Sequence, residues 1–340
     1  MSNDDETSYY VGCDIGGTNV RVIIADRECL LAKITAPTRK EGPPDALANQ
    51  VIEMITATLK DLDIFKDQIV AIGTSSAGPF IKRKSLKSPN ICGQGNNWDI
   101  IPYVDVLIDH FGPELKYELV NDCVSSVKAE NLFGAGRGYD DCVYVTISTG
   151  VGSGIISDGL LIEGKGGNAG HFGHTIVKKD GHLCGCGQRG CIETIVSGNS
   201  IARRAKESGL EIDGSKDYSA KEVCEQFRQN NGIAREIIQE TIEYLGILFI
   251  NIINATDTSL LIVGGSVFLK DGDIFKKPVE DYIAKHSMKT LSNGVKIVYP
   301  ELGEYVGDIA GLSVILPEDI IHDWQQTKPW EAGVLNEREL

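Results

Sequence analysis

No stretch of this 340-residue chain approaches the ~20 consecutive apolar residues that a membrane-spanning helix requires, so a membrane is not among its expected partners. Positive charge is scarce too. Lys and Arg number 33 against 48 Asp and Glu, a net charge of −15. Such a chain repels phosphate backbones, which argues against nucleic acid as its main partner. An anionic ligand would need glycine loops or a bound cation to hold it. The acidic, polar opening MSNDDETSYY resembles neither a signal nor a transit peptide, and the expected compartment is the cytoplasm. Also missing are a P-loop with its lysine and a clean G-x-G-x-x-G, which argues against a P-loop NTPase and a nicotinamide Rossmann enzyme.

Cysteine is present but forms no disulfide framework. Six of the nine (Cys13, Cys29, Cys92, Cys123, Cys142 and Cys224) are scattered and read as small buried residues. The other three stand in His174-x9-Cys184-x-Cys186-x4-Cys191-x-Glu193, spaced by glycines. Three thiols and an imidazole make a complete tetrahedral N/S set, which points to Zn²⁺. The segment lacks apolar periodicity, so it is not core. In a reducing compartment thiolates bind metal rather than pair with each other. Four protein ligands leave no open position for a catalytic water, so the zinc is read as structural.

The length favours two domains. β-Branched runs Tyr9–Cys13 and Val20–Ala25 flank Asp14-Ile15-Gly16-Gly17-Thr18-Asn19, a hairpin with a glycine turn. Glu28–Thr35 reads as a third strand, Pro44–Leu62 as an amphipathic helix and Ile69–Gly73 as a buried strand, giving βββαβ. The pattern restarts at Cys142–Ile147, the turn Ser148–Gly154, and strands at Ile155–Ser157 and Leu160–Ile162. Helices follow at Ser197–Ser208, Ser219–Arg228 and Gly232–Asn254, then a strand Leu260–Val263 ending in Gly264-Gly265-Ser266. We expect an N-terminal domain over 1–121, a larger domain with the zinc segment over 122–317, and a polar tail or helix over 318–340 that completes the first domain.

Three glycine turns thus follow three strands. Glycine lets backbone N–H groups approach phosphate oxygens with no Cβ in the way. Asp14, just before the first turn, can hold Mg²⁺ directly or through water.

Asp-Ile-Gly-Gly-Thr-Asn at 14–19, Asn-Asp at 121–122 and Thr-Gly-Val-Gly-Ser-Gly at 149–154 resemble the sugar kinases of the actin-like ATPase superfamily. Ala-Gly-His-Phe-Gly-His at 169–174, followed by Cys-Gly-Cys-Gly-Gln-Arg-Gly-Cys-Ile-Glu at 184–193, narrows the resemblance to the repressor/open-reading-frame/kinase (ROK) family. It runs from Tyr9 to about Pro317. The resemblance implies an α/β fold of two RNase H-like domains closing over a cleft. It implies ATP between two phosphate turns, held by Asp14, Gly16, Gly17, Thr18 and Asn19 on one side and Thr149 and Gly150 on the other. Gly264 and Gly265 would lie near the adenosine. Asp122 is implied as the base that takes the proton of the acceptor hydroxyl. Gly78, Asn121, His174 and Glu193 match positions that meet the sugar. The family forms dimers, sometimes tetramers.

Two departures bear on the acceptor. Many family members, glucokinases included, carry Glu where this chain has His171; a neutral imidazole offers one donor and one acceptor, which suits an acetamido carbonyl. Some N-acetylmannosamine kinases of the family share the Gly-His-x-Gly-His pattern. The second departure is Gly95-Asn96-Asn97-Trp98, on an extended loop. Its amides, Asn97 in particular, are expected either to meet C2 of the sugar or only to shape the loop. The expectation is an ATP- and Mg²⁺-dependent kinase acting on the 6-hydroxyl of an N-acetylhexosamine, with N-acetylmannosamine preferred. A glucokinase is the alternative, and a non-catalytic sugar-sensing protein a remote one. A repressor would need an N-terminal winged helix, for which the stretch before Asp14 leaves no room.

Overall fold

The computed structural model describes residues 8–339 except 94 and 216, so the first seven residues of the acidic opening and Gln94 of the extended loop lie outside the described residues. The chain divides into two compact units. One comprises Met1–Arg137, Glu163–Ala169 and Glu301–Leu340, the other Gly138–Ile162 and Gly170–Pro300.

The first unit opens with the expected meander, β1 (Tyr9–Ile15), β2 (Asn19–Ala25) and β3 (Leu30–Pro37). Helix α1 (Ala46–Asp61) buries Leu47, Val51, Met54, Ile55 and Leu59, its predicted stripe, in this unit's core. Then come β4 (Ile69–Ser76), a small antiparallel sheet of β5 (Phe80–Ile81), β6 (Ser85–Leu86) and β7 (Ile101–Pro102), helix α2 (Val104–Phe111), β8 (Lys116–Asn121) and helix α3 (Asp122–Phe133). β1 pairs antiparallel with β2 and parallel with β4, and β4 pairs parallel with β8. The parallel trio therefore ends at one edge, and Ile15, Ser76 and Asn121 stand side by side there.

The second unit repeats the strand–turn–strand opening with β9 (Cys142–Ile147), β10 (Val151–Ser157) and β11 (Leu160–Leu161). β10 starts at Val151, so Val151–Gly154 belong to the strand and only 148–150 form the turn. The expectation of a turn reaching Gly154 fails because Val151 to Gly154 pair in register with β9. Short helix α4 (Glu193–Val196) leads into α5 (Gly198–Glu207), α6 (Ala220–Arg228) and the 25-residue α7 (Gly232–Thr256). β12 (Leu260–Gly264), α8 (Ser266–Lys270), α9 (Gly272–His286), α10 (Lys289–Ser292) and β13 (Lys296–Val298) complete it, with strand order β11-β10-β9-β12-β13. Helix α7 buries Ile237, Ile238, Leu245, Leu248, Phe249, Ile252 and Ile253, as its spacing predicts. Helix α9 escapes the pattern because Pro278 interrupts it and only four of its residues are buried.

The chain then returns to the first unit as α11 (Val306–Ser313), α12 (Glu318–Thr327) and β14 (Asn336–Glu339). Helix α11 packs on β1 and β4 through glycine. A Cβ on Gly73 would lie 2.1 Å from the Gly311 carbonyl oxygen, so the helix approaches the sheet as closely as backbone allows. Two expectations change here. The break between units falls at 137/138, not 121/122, because α3 packs on α11 of the same unit. The second domain does not run to 317 either, since the chain re-enters the first unit at Glu301. Nor is the tail merely polar. α12 buries Ile320 and Trp324, Trp330 is buried beyond it, and β14 pairs parallel with β3 at the edge of the six-stranded sheet.

Glu130, near the end of α3, is fully buried (0% exposed). Its carboxylate accepts N–H groups of Ala135 (2.8 Å), Glu301 (3.1 Å) and Leu302 (3.0 Å). One side chain thus ties the end of α3 to the segments that leave and re-enter this unit. Burial pushes its carboxyl up, and the three amides pull it back. Glu130→Ala would strand those amides, and we expect a loss of about 3 kcal/mol in urea unfolding. A loss below about 1 kcal/mol would mean that water replaces the carboxylate.

Candidate functional site

In the first unit the candidate residues gather where the parallel strands end. The turn after β1 is closed by the Gly16 N–H on the Asn19 carbonyl, 2.9 Å. The N–H groups of Gly17 and Thr18 have no acceptor among the described residues, as a phosphate cradle requires. Asp14 lies at the end of β1, across from Arg21 on β2. Burial pushes its carboxyl up to about 6; Arg21 pulls it down, while the charges of Asp122 and Asp308 push it further up. Arg21 donates to Asp308 at 2.8 Å, and Lys33 reaches the other Asp308 oxygen at 3.2 Å. Asp14 and Asp122 are thus close enough to repel, a carboxylate pair that a cation would relieve.

Asn121 is the N-cap of α3: its Oδ1 accepts the Cys123 N–H at 3.0 Å. Its Nδ2 lies 3.6 Å from the place of a Gly78 Cβ. Asp122 follows at the first helical position, with its side chain exposed. Gly78 is also approached by Asn168, whose Oδ1 accepts the Phe80 N–H (2.8 Å) and whose Nδ2 donates to the Phe80 (2.9 Å) and Gly166 (3.2 Å) carbonyls. Sequence reasoning missed Asn168; its only signal is its setting in Gly166-Gly167-Asn168-Ala169-Gly170. The amides of the extended loop divide. Asn96 is spent internally, accepting from Gly93 and Trp98 and donating to the Lys40 and Ile91 carbonyls. Asn97 is exposed.

In the second unit the Thr149 and Gly150 N–H groups of the turn have no acceptor among the described residues. Glu193, at the start of α4, braces this turn. Its Oε2 accepts the Val151 N–H at 2.9 Å, and a Cβ on Gly150 would stand 2.8 Å from that oxygen, so a side chain at 150 would push the carboxylate off the turn. Beside the turn a cavity of about 680 Å³ is lined by Thr149, Asn199, Lys206, Tyr218, Lys221 and Lys270, among others. Lys206 lies over the Tyr218 ring, 5.2 Å from its centroid. The lysines give this part of an acidic chain a local excess of positive charge. Gly264 and Gly265 do not line the cavity. They let the chain pass Tyr144 and Ile147, and the next residues, Ser266 and Val267, face it.

The ligand atoms of His174, Cys184, Cys186 and Cys191 all lie within 4.8 Å of one another. Cys186 Sγ is 3.6 Å from Cys191 Sγ, and Cys184 Sγ is 3.6 Å from His174 Nδ1. Two thiolates on a tetrahedral zinc sit about 3.8 Å apart, so the set fits the ion. Cys184 Sγ is also 3.6 Å from Glu193 Oε1, which sets the cluster directly beside the turn brace. His171 is exposed, its ring centroid 5.8 Å from that of His174. Gly173 holds the two histidines against β10; a Cβ there would sit 2.2 Å from the Val151 carbonyl oxygen.

Comparison with known proteins agrees with this geometry. A glucokinase of Halalkalibacterium halodurans is 28% identical over 314 residues, covering 89% of this chain and 93% of that protein. An N-acetylmannosamine kinase of Citrobacter koseri is 32% identical over 260 residues, covering 76% of this chain and 83% of that protein. The crystal structure of a ROK family glucokinase from Streptomyces griseus, in complex with glucose and AMPPNP, matches with a TM-score of 0.66 at 28% identity, covering 91% of this chain and 99% of that one. The model of the ROK family itself matches residues 10–315, and with its paired glycine turns on two α/β units the chain belongs to that family.

Proposed function

We propose that this protein is an ATP-dependent sugar kinase that transfers the γ-phosphate to the 6-hydroxyl of a hexose, with N-acetylmannosamine as preferred acceptor. The observation that carries the kinase reading is the pair Asp14 and Asp122 beside a glycine turn with two unpaired amides. Asp122 accepts the proton of the acceptor hydroxyl as its oxygen attacks the phosphorus. Asn121 Nδ2 donates to a neighbouring sugar hydroxyl, and the backbone at Gly78 lets the sugar approach. The N–H groups of Gly17, Thr18, Thr149 and Gly150 donate to phosphate oxygens. Mg²⁺, held at Asp14, would neutralise charge on the phosphates. The lysine-lined cavity suits the nucleotide, with Ser266 and Val267 toward the adenosine. Zinc on His174, Cys184, Cys186 and Cys191 would hold the segment in shape, and no chemical step runs through it.

Glu193 spends Oε2 on Val151, while Oε1, 3.6 Å from Cys184 Sγ, keeps a lone pair for a sugar hydroxyl. His171 and Asn97 support the acetamido reading. Both are exposed, and both offer a donor where a carboxylate would offer none. Glucokinase is the second reading, favoured by the near full-length relative of that name. A homodimer or homotetramer in the cytoplasm completes the proposal.

A coupled ADP-release assay with N-acetylmannosamine, N-acetylglucosamine, glucose and mannose tests it. We expect kcat/KM for N-acetylmannosamine at least tenfold above glucose, with His171→Glu narrowing the gap. Turnover of glucose alone would overturn the acetamido reading, and turnover of none would overturn the kinase.

A further inference from the structure

The glycine turn after β1 and the loop that carries Asn97 belong to the same unit, and one segment touches both. Thr38, just past β3, is buried at 8% exposure. Its N–H donates to the Thr18 carbonyl at 2.8 Å and its hydroxyl to the Gly16 carbonyl at 2.7 Å. A turn that presents N–H groups to a ligand points carbonyls the other way, and these need donors behind them. Thr38 supplies two with one residue. Two residues on, the Lys40 carbonyl accepts Asn96 Nδ2 at 3.0 Å, and the Gly42 carbonyl accepts Trp98 Nε1 at 2.9 Å. Asn96 and Trp98 flank Asn97 on either side. The loop also meets the turn directly, since a Cβ on Gly17 would lie 3.1 Å from the Asn90 carbonyl oxygen. The segment from Thr38 to Gly42 is therefore bonded at one end to the turn and at the other to the loop.

We propose that this segment is a tie that couples the Asn97 loop to the phosphate turn, with Thr38 as the positioning residue. The inference rests on the kinase reading only for the names of the two ligands. Nothing in the tie touches a reacting atom. Its effect is to make order in the loop favour the turn conformation that faces its amides outward, and the coupling must run equally in both directions. Thr38 carries no charge and contacts no proposed ligand, so neither composition nor motif marks it.

The test is AMPPNP affinity in the presence of Mg²⁺, measured by calorimetry on the full chain. Thr38→Val keeps the shape and removes the hydroxyl; we expect about fivefold weaker AMPPNP, with Thr38→Ser restoring wild-type affinity to within twofold. Asn96→Ala, which lies on the loop and touches no residue of the turn, should weaken AMPPNP about threefold. Unchanged AMPPNP affinity in Asn96→Ala would overturn the tie, as would a Thr38→Val defect that Ser fails to repair, since methyl packing would then be the cause. These outcomes do not depend on which sugar is turned over. If wild type binds AMPPNP but phosphorylates none of the four sugars, the kinase reading fails while the tie is still decided by the variants.

Discussion

We expect Asp122→Asn to lower kcat by about a thousandfold, within the 10²–10⁴ range that a positioned base supplies, while both ligands still bind. The substitution is nearly isosteric. Asn121 still caps α3 through its bond to the Cys123 N–H, so the helix start survives. What disappears is the capacity to take a proton from the acceptor hydroxyl. The electrostatics separate this role from a general one. The charge of Asp122 pushes the Asp14 carboxyl up, so removing it lets Asp14 fall from about 6 and ionise more readily. One charge of the pair is gone, so we expect Mg²⁺ to bind Asp122→Asn more weakly, and the loss that persists at saturating Mg²⁺ and ATP to lie in kcat. Single-turnover phosphorylation with saturating ATP reads this directly. A rate within tenfold of wild type would reduce Asp122 to a structural helix start.

Loss of a metal from the Cys3His set is expected to have the second large effect. One zinc per chain is expected by elemental analysis of the purified protein, and none in Cys184→Ser. Metal binding to such a Cys3His set contributes about 10–16 kcal/mol in small peptides, and it is gained by folding the segment around the ion. Here the segment has little else. Between His174 and Cys191, Ile176 and Leu183 are exposed, and its two arms are joined by isolated bridges and a few backbone hydrogen bonds rather than by a packed core. Strong chelation should open it to proteolysis near Lys178–Arg189 and lower turnover by about ten- to a hundredfold. The damage does not stop at the sugar side. Glu193 lies against Cys184 and also holds the Val151 N–H, so the KM for ATP should rise as well. Metal-free protein that resists protease and keeps full activity would refute the structural zinc.

Legibility followed sequence separation. The first turn was readable because Gly16 and Gly17 sit between two β-branched runs, and the ligand cluster because its four members fall within eighteen residues. Helix α7 was readable because its buried positions recur at helical spacing. Arg21 and Asp308 were not, since they meet across 287 positions and neither stands in a motif. Asn168 reaches the Gly78–Phe80 loop across 88 positions. Asn96 and Asn97 are adjacent and chemically identical, and only the fold tells that one is consumed by backbone groups of its own loop and of Lys40. The tail read as polar because its composition is polar, yet Trp324 and Trp330 lie in the core beside Phe133. The division into units was displaced because α3 follows a strand end that looks like a boundary, while its packing partner α11 is nearly two hundred residues away.

The three-part make-up of the first unit has a consequence for synthesis. A ribosome finishes every residue of the second unit by Pro300, while the sheet begun at Tyr9 still lacks α11, α12 and β14. The N-terminal strands leave the exit tunnel first and are completed last. Their edge at β3 and the face that α11 will cover stay open while nearly the whole chain is translated, a long interval in which unpaired strands can find other partners. Nascent chains stalled before residue 301 should therefore need a chaperone at their N-terminal end, and a small deletion at the C-terminus should harm the oldest part of the molecule rather than the newest.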